Sequence, residues 1–330
     1  MYPKEYYANL EYRLKVRQRA QSDPGFAEAL RYRCKHDVLF FFNVFCWVVE
    51  PRKRKHESGK KKPKTLPFIT WPHQDRAIKT IVEHFGEGDI GIEKSRGEGA
   101  TWISLLIFLQ QWLFEPASFL GLSSRHELAV DNPKDPDSLM SKLDWELRQL
   151  PRWMVPVYDR NETKHSLLNL ENGSSIIGYP STAELGSGGR KAAFLMDELS
   201  KYPRDKGADK AAALAIAANT ECRLFVATPN GPSGAYYEIM TQDSDIVKIV
   251  LDWKENPTRN KGLYRLVNGL PEAVDPVNSP LPDGYVETWQ ASLRNRLEQK
   301  GYDLRNGRER SPWYDKECMR PNMWPRDIAQ

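Results

Sequence analysis

The feature that most constrains the fold is an alternation of strand-like and helix-like segments between residues 89 and 253. Short apolar runs, typical of buried strands, alternate with longer stretches whose apolar residues recur at helical spacing. This alternation predicts an α/β fold with a mostly parallel sheet that helices cover. Asn172-Gly173, between two further apolar runs, predicts one antiparallel hairpin. The predicted strands span residues 89–93, 118–122, 167–170, 175–179, 193–197, 223–228 and 246–253.

The composition along the chain predicts three parts. Residues 1–65 hold one or two helices after Asp23-Pro24, followed by a basic loop. Residues 66–256 hold the alternating core and the helix that precedes it. Residues 257–330 begin with a stretch rich in Pro, Asn and Gly and continue with a helix, so we predict a small lid or linker subdomain there.

Several classes of protein are excluded by simple features of the sequence. The longest apolar stretch, residues 38–49, is too short to cross a bilayer, which needs about 20 apolar residues. The amino terminus does not resemble a signal peptide. The cysteines are too widely spaced for a zinc knuckle and indicate reduced thiols in a cytosol-like compartment. They are Cys34, Cys46, Cys222 and Cys318.

The positive charge is concentrated in one segment. Residues 51–64 carry eight Lys or Arg against the single Glu57, a local charge of +7, whereas the whole chain carries +4. The rest of the chain is therefore net acidic. The segment is interpreted either as a flexible arm that binds phosphates through counterion release or as a solvated cationic loop.

A candidate phosphate-binding turn lies between a predicted strand and a predicted helix. Such a site needs converging backbone N–H groups, a helix amino terminus and a nearby cation. Against the pattern G-x-x-x-x-G-K-[ST], Gly99 and Thr101 match, but Lys94 replaces the first glycine and Ala100 replaces the usual lysine. Lys94 or Arg96 would then supply the missing charge, and Thr101 would bind Mg²⁺. The alternative is a turn that binds no ligand. The whole segment is Lys94, Ser95, Arg96, Gly97, Glu98, Gly99, Ala100 and Thr101.

A second candidate site ends the apolar run that starts at Ala193. Asp197 and Glu198 follow four apolar residues, a pattern typical of a buried strand that presents acids at its carboxyl end. Ligands bind at that edge in doubly wound sheets. Asp197 is predicted to hold Mg²⁺, and Glu198 to activate water as a general base. The alternative is a carboxylate pair in an ordinary turn.

Three weaker signals lie near other predicted strand ends and turns. Thr228 lies at the end of a predicted strand, where it would sense the γ-phosphate. Alternatively, the strand simply leads into the turn that follows. Gln74 offers the donor and acceptor that match an adenine edge, or it caps a helix. Arg190, after three glycines and a serine in residues 186–189, would reach a neighbouring subunit's nucleotide, or it is a surface side chain.

In this order along the chain, the segments resemble the ATPase domain of the large terminase subunit of tailed bacteriophages, the motor that packages viral DNA. The resemblance implies a P-loop NTPase fold of the ASCE type that hydrolyses ATP with Mg²⁺. It makes Lys94 the first choice for the displaced cation, assigns Gln74 to the adenine, and makes Thr228 part of a coupling motif. The matching segments are residues 71–74, 95–101, 194–198, 227–231, Trp253 and 256–257.

The resemblance also implies partners. They are double-stranded DNA, the portal protein of the procapsid, the small terminase subunit and further copies of the chain in a ring, with no membrane, in the host cell cytoplasm. The family normally appends a nuclease of RNase H type, which we do not expect in this sequence. Two alternatives stay open: a helicase-like, nucleic-acid-dependent ATPase and, because of Ala100, a nucleotide-binding scaffold that does not hydrolyse.

Overall fold

The computed structural model describes residues 2–49, 65–181 and 189–321. The predicted basic segment 51–64 and residues 186–188 of the glycine-rich stretch lie outside the described residues.

The helices that the sequence predicts after Asp23 are present, with ends shifted by a few residues, whereas the helices Glu127–Val130 and Pro312–Cys318 were not predicted. A π-helical turn, Trp289–Leu293, joins the two helices on either side of it into one. Among the described residues, no helix combines the length and the apolar character that spanning a bilayer requires. The helices are α1 (Tyr6–Ser22), α2 (Pro24–His36), α3 (Val38–Phe45), α4 (Pro72–Glu83), α5 (Ala100–Phe114), α6 (Glu127–Val130), α7 (Leu139–Gln149), α8 (Ala208–Ala217), α9 (Ala235–Thr241), α10 (Tyr285–Thr288), α11 (Arg294–Gln299) and α12 (Pro312–Cys318).

The strands include every predicted one and several that were not predicted. They are β1 (Trp47–Val49), β2 (Thr65–Pro67), β3 (Ile90–Lys94), β4 (Phe119–Ser123), β5 (Tyr158–Asn161), β6 (Ser166–Asn169), β7 (Ser175–Tyr179), β8 (Ala193–Asp197), β9 (Arg223–Ala227), β10 (Val247–Leu251), β11 (Tyr264–Val267), β12 (Leu270–Ala273) and β13 (Glu309–Arg310).

The main sheet has eight strands in the order β10-β3-β9-β8-β4-β7-β6-β5. The pairs from β3 through β9, β8 and β4 to β7 are parallel, whereas β5, β6 and β7 form an antiparallel meander. The predicted α/β class with a mostly parallel sheet is therefore confirmed. Strand β9 lies between β3 and β8.

The central strands are buried because they are apolar on both faces, as parallel strands under two layers of helices must be. Every residue of β8 is buried, and so are four of the five residues of β9. Helix α5 is buried over most of its circumference and follows β3 directly in the chain. Parallel strands present their carboxyl ends at one edge, so the sheet brings the ends of β3, β9, β8 and β4 to the same side.

Helix α1 was not predicted, because its inner face is polar. Asn9 and Arg13 are buried on that face, where Arg13 donates to the carbonyl oxygens of Cys46 and Phe42 at 2.9 and 3.2 Å. Hydrogen bonds to backbone carbonyls thus replace the apolar stripe that a periodicity analysis detects.

The described residues form two compact units. One comprises residues up to 93 together with 99–249, and the other comprises 94–98 together with the residues from 250 onward. The second unit contains the sheet β12-β11-β13. Its core is mostly aromatic and consists of Trp253, Tyr264, Leu266, Trp289, Leu297, Tyr302, Tyr314 and Cys318.

Candidate nucleotide-binding site

The chain turns from β3 into α5 through two glycines in the left-handed conformation. Gly97 has φ +79° and Gly99 has φ +82°, and Gly99 is the residue that precedes the first turn of α5. Only glycine adopts such angles without strain. The amino terminus of a 15-residue helix therefore follows the loop directly, and the dipole of a helix favours anions at this end.

The structure brings Thr101 and Asp197 together, although 96 residues separate them in the sequence. The Thr101 hydroxyl donates a hydrogen bond of 2.9 Å to Oδ1 of Asp197. Thr101 lies in the first turn of α5, and Asp197 is the last residue of β8 and 4% exposed. A hydroxyl and a carboxylate thus meet at the carboxyl edge of the sheet, beside a helix amino terminus.

This pair of oxygens fits the chemistry of Mg²⁺. The ion prefers oxygen ligands and usually takes one or two carboxylates from the protein, with substrate phosphates and water completing its shell. Within the part of the chain that the structure describes, no group of three or more His, Cys, Asp and Glu side chains is arranged to hold a metal ion. A metal here would therefore depend on phosphate oxygens for much of its coordination.

Glu198 has an unusual backbone conformation. Its φ is +58°, in the left-handed region that non-glycine residues rarely adopt and that is found preferentially at functional sites. A short 3-10 turn, Leu199–Lys201, follows, in which the Lys201 N–H donates to the Glu198 carbonyl at 2.8 Å. The Lys201 ammonium also forms an ion pair with the Glu198 carboxylate. The turn and the ion pair together restrict the position of the Glu198 carboxylate, next to Asp197 in the chain.

The exits of β8 and β9 are joined by hydrogen bonds. The Ser200 hydroxyl donates to the carbonyl of the buried Thr228 at 2.7 Å, and the Asn230 amide donates to the Ser200 carbonyl at 3.2 Å. The exposed Arg204 donates to the carbonyls of Ser200 and Asn230 at 2.9 and 3.1 Å. The segment with Thr228 is therefore connected to the turn that carries Glu198.

A buried hydroxyl pair lies at the same edge. Ser123, the last residue of β4, shares a hydrogen bond of 2.6 Å with the phenol of Tyr202. Burial raises the pKa of Tyr202 well above its usual range, and the nearby Asp197 carboxylate raises it further. The phenol is therefore neutral beside Asp197.

Gln74 lies close to Gly99. Its side chain is buried, its oxygen accepts the Trp71 N–H at 2.9 Å, and its Nε2 lies 3.2 Å from the position that a Cβ on Gly99 would occupy. The oxygen thus caps α4, which begins at Pro72. This contact corresponds to the capping alternative, and it directs the amide nitrogen toward the start of α5.

Arg190 is not brought to the Thr101–Asp197 pair. It is exposed and precedes β8 by three residues, whereas Asp197 ends that strand. A strand advances about 3.3 Å per residue, so the length of β8 separates the two ends. Within one chain, Arg190 and Asp197 lie at opposite ends of the strand.

The surroundings of Glu98 were not predictable from its sequence neighbours. This carboxylate is 0% exposed and accepts a hydrogen bond of 2.6 Å from Nη1 of Arg259. The Asn256 amide lies 3.2 Å from both carboxylate oxygens. The Glu98 side chain therefore faces Arg259 and Asn256. No local pattern marks Arg259, which lies in a stretch that looks like a loop. Lys94 is half-buried and Arg96 is exposed.

Comparison with known protein families gives one match. Residues 92–269, just over half of the chain, match the family model "Terminase large subunit, T4likevirus-type, N-terminal". No curated protein sequence matches the chain.

The chain also has structural similarity to phage terminases. A large terminase from a thermophilic bacteriophage is 12% identical, with 56% of this chain and 46% of that one aligned and a TM-score of 0.45. The large terminase of bacteriophage HK97 is 13% identical over 66% of this chain and 43% of that one, with a TM-score of 0.47. The Thermus phage P74-26 large terminase ATPase domain is 12% identical, with 52% of this chain and 79% of that one aligned and a TM-score of 0.40. The aligned region spans under half of the first two of these terminases.

The match of the family model over residues 92–269 includes the loop before α5, Asp197, Glu198 and Thr228. The chain belongs to the family of terminase large subunits, in the N-terminal part of the T4-like type.

Proposed function

We propose that this chain is the ATP-hydrolysing motor domain of a viral terminase large subunit, which drives double-stranded DNA into a procapsid. The observation that supports the proposal best is the 2.9 Å contact between the Thr101 hydroxyl and the Asp197 carboxylate at the amino terminus of α5. Two remote segments thereby bring a hydroxyl and a carboxylate oxygen together beside the amino terminus of α5.

The roles of the loop residues follow from their chemistry. The backbone N–H groups of residues 95–101 and the side chain of Lys94, or second Arg96, would bind the phosphates of ATP. Thr101 and Asp197 would hold Mg²⁺, which neutralises phosphate charge when bound. Gln74 would contact the adenine through its amide nitrogen, because its amide oxygen caps α4.

Glu198 would remove the proton from the attacking water. A general base must be placed within hydrogen-bond reach of that water, and the constrained turn after β8 restricts where the carboxylate can lie. The ion pair with Lys201 restricts it further. The hydrogen bonds from Ser200 and Arg204 would pass a movement of this turn to Thr228, which gives coupling a physical route.

The partners follow from the family. A packaging motor acts on double-stranded DNA with the portal protein, the small terminase subunit and further copies of the chain in a ring, in the host cell cytoplasm. The exposed Arg190, at the far end of β8, would then act on the nucleotide of a neighbouring subunit. Its planar guanidinium suits a phosphoryl transition state.

The test is phosphate release with Mg²⁺-ATP, with and without DNA, for the wild type and Glu198→Gln. We expect the variant to bind ATP within about threefold of the wild type and to lose about 100-fold or more in turnover, as for removal of a general base. Glu115→Gln, which changes the half-exposed carboxylate just beyond the far end of α5, is the matched control and should hydrolyse normally.

The outcomes separate the alternatives. Wild-type turnover by Glu198→Gln would contradict the assignment of the base. ATP binding without phosphate release in the wild type, even with DNA and assembled rings, would favour the scaffold that Ala100 suggests.

A further inference from the structure

We propose that Arg259 is a positioning residue that holds the phosphate-binding loop in its ATP-binding conformation and ties that loop to α12. The proposal rests on the proposed function, because it concerns the same nucleotide site. Arg259 would act through the loop backbone and would not touch the nucleotide.

The guanidinium of Arg259 holds the loop at two points. Nη1 donates to the backbone carbonyl of Arg96 at 2.6 Å and to Oε1 of Glu98 at 2.6 Å. Arg259 is 8% exposed and Glu98 is 0% exposed. Charged hydrogen bonds in such surroundings are among the strongest that a protein makes. The loop residues on both sides of Gly97 are therefore fixed by one side chain.

The orientation of Glu98 is set from a second direction. The Asn256 side-chain oxygen accepts from the N–H and the hydroxyl of Thr258 at 2.9 and 2.8 Å. Its amide nitrogen must then face the carboxylate, where it lies 3.2 Å from both oxygens. Because donor and acceptor ends of the amide are both determined, Asn256 keeps Glu98 in place for Arg259.

Arg259 is itself anchored to α12. The Ser311 hydroxyl donates to the Arg259 carbonyl at 2.7 Å and also caps α12 by accepting the Tyr314 N–H at 3.1 Å. The guanidinium lies 4.7 Å from the ring centre of Trp313, within range of a cation–π interaction. Trp313 in turn contacts Trp253, with ring centres 5.7 Å apart.

The next link is a buried ion pair at the start of α12. Arg310 donates to Oδ1 of Asp315 at 2.7 Å, and the hydroxyls of Tyr264 and Tyr285 donate to Oδ2 of the same carboxylate. A chain of polar contacts therefore extends from Glu98 through Arg259 to the core of the second unit. A rearrangement of the loop on binding phosphate would therefore also displace Ser311 and Trp313, which contact Arg259.

The experiment compares four variants with the wild type: Arg259→Met, Glu98→Gln, the double variant and Tyr285→Phe. ATP affinity and the melting temperature are measured for each. Arg259→Met should weaken ATP binding at least about tenfold and lower the melting temperature by several degrees, because the buried Glu98 carboxylate loses the positive charge of Arg259. Glu98→Gln should weaken ATP binding less than Arg259→Met does, because Arg259 still donates to the Arg96 carbonyl.

The double variant separates positioning from stability. Removing both charges should restore most of the melting temperature, since no buried charge is left unpaired. ATP affinity should stay as weak as in Arg259→Met, because the bond to the Arg96 carbonyl is still absent. Tyr285→Phe, which removes one hydrogen bond to Asp315 in the same unit, is the control and should lose stability but keep its ATP affinity.

Two results would overturn the proposal. One is recovery of ATP affinity together with the melting temperature in the double variant, which would make the pair purely structural. The other is wild-type affinity in a folded Arg259→Met protein. If the wild type and Tyr285→Phe also fail to bind ATP, the proposed function fails first, so the two failures are distinguishable.

Discussion

Glu198 and the two glycines of the loop before α5 share a left-handed backbone. For the glycines this conformation carries no steric cost, whereas for Glu198, at φ +58°, it is strained and must be held by its surroundings. The 3-10 turn after Glu198 and the ion pair with Lys201 provide that restraint. The strained residue directly follows Asp197 and is the one that we propose as the general base.

Gly97→Ala tests the packing of the loop against Arg259. The φ of +79° disfavours alanine by about 1–2 kcal/mol, and a Cβ would lie 2.6 Å from Nη2 of Arg259, which its hydrogen bonds prevent from moving freely. We expect a loss of stability and weaker ATP binding, measured by thermal unfolding and titration.

Gly173→Ala is the matched control for this change. Gly173 has φ +74° in the β6–β7 turn, and nothing lies within 4 Å of its added Cβ. It should lose comparable stability from the backbone alone and bind ATP normally. Equal ATP affinity in the two variants would show that the contact with Arg259 has no role in the loop.

At the scale of single residues, a candidate site residue could be predicted from the sequence only where it lies in a local pattern. Thr101 and Asp197 were identified because a glycine-containing turn precedes a helix and because acids end an apolar run. Arg259 could not be identified in this way, since it contacts Glu98 across 161 residues and no spacing rule relates them. Lys201 was missed although it is close in sequence, because its pairing depends on the unusual backbone of Glu198.

Secondary-structure elements were predictable where the apolar pattern is simple. The β11–β12 hairpin was missed although its signal is present: Asn268-Gly269, both at positive φ, connects Tyr264–Val267 to Leu270–Ala273. This is the turn chemistry of a two-residue hairpin, and it was overlooked inside a stretch rich in Pro, Asn and Gly. Helix α1 lacked any such signal, because polar contacts replace its apolar face.

The contact between α7 and β1 gives a stability that depends on pH. Glu146 of α7 is buried and accepts the Trp47 N–H at 3.1 Å, and burial raises the pKa of its carboxyl to about 8. The folded protein then keeps a proton that the unfolded chain releases near its ordinary pKa of 4.5. The free energy of unfolding should therefore fall as the pH rises between these values, by at most about 1.4 kcal/mol per pH unit.

Glu146→Gln should remove this contribution. Denaturant unfolding from about pH 5 to pH 8 is expected to show a smaller decrease of stability with pH in the variant than in the wild type. Glu115→Gln, at a half-exposed carboxylate, should keep the wild-type slope. An unchanged slope in Glu146→Gln would mean that this carboxyl is ionised in the folded protein throughout the range.

At the scale of the whole molecule, the chain divides into two compact units. The loop residues 94–98 group with the residues from 250 onward, and the helix that follows the loop groups with the sheet. The turn before α5 thus contains the point where the chain passes from one unit to the other.

The most direct test of the account is an experimental structure with Mg²⁺ and a non-hydrolysable ATP analogue. We expect the phosphates on the loop before α5, Mg²⁺ at Thr101 and Asp197, and the Lys94 ammonium closer to the γ-phosphate than the Arg96 guanidinium. A nucleotide bound away from this loop, or a metal ion that contacts neither Thr101 nor Asp197, would contradict the proposal that this chain is an ATP-driven motor.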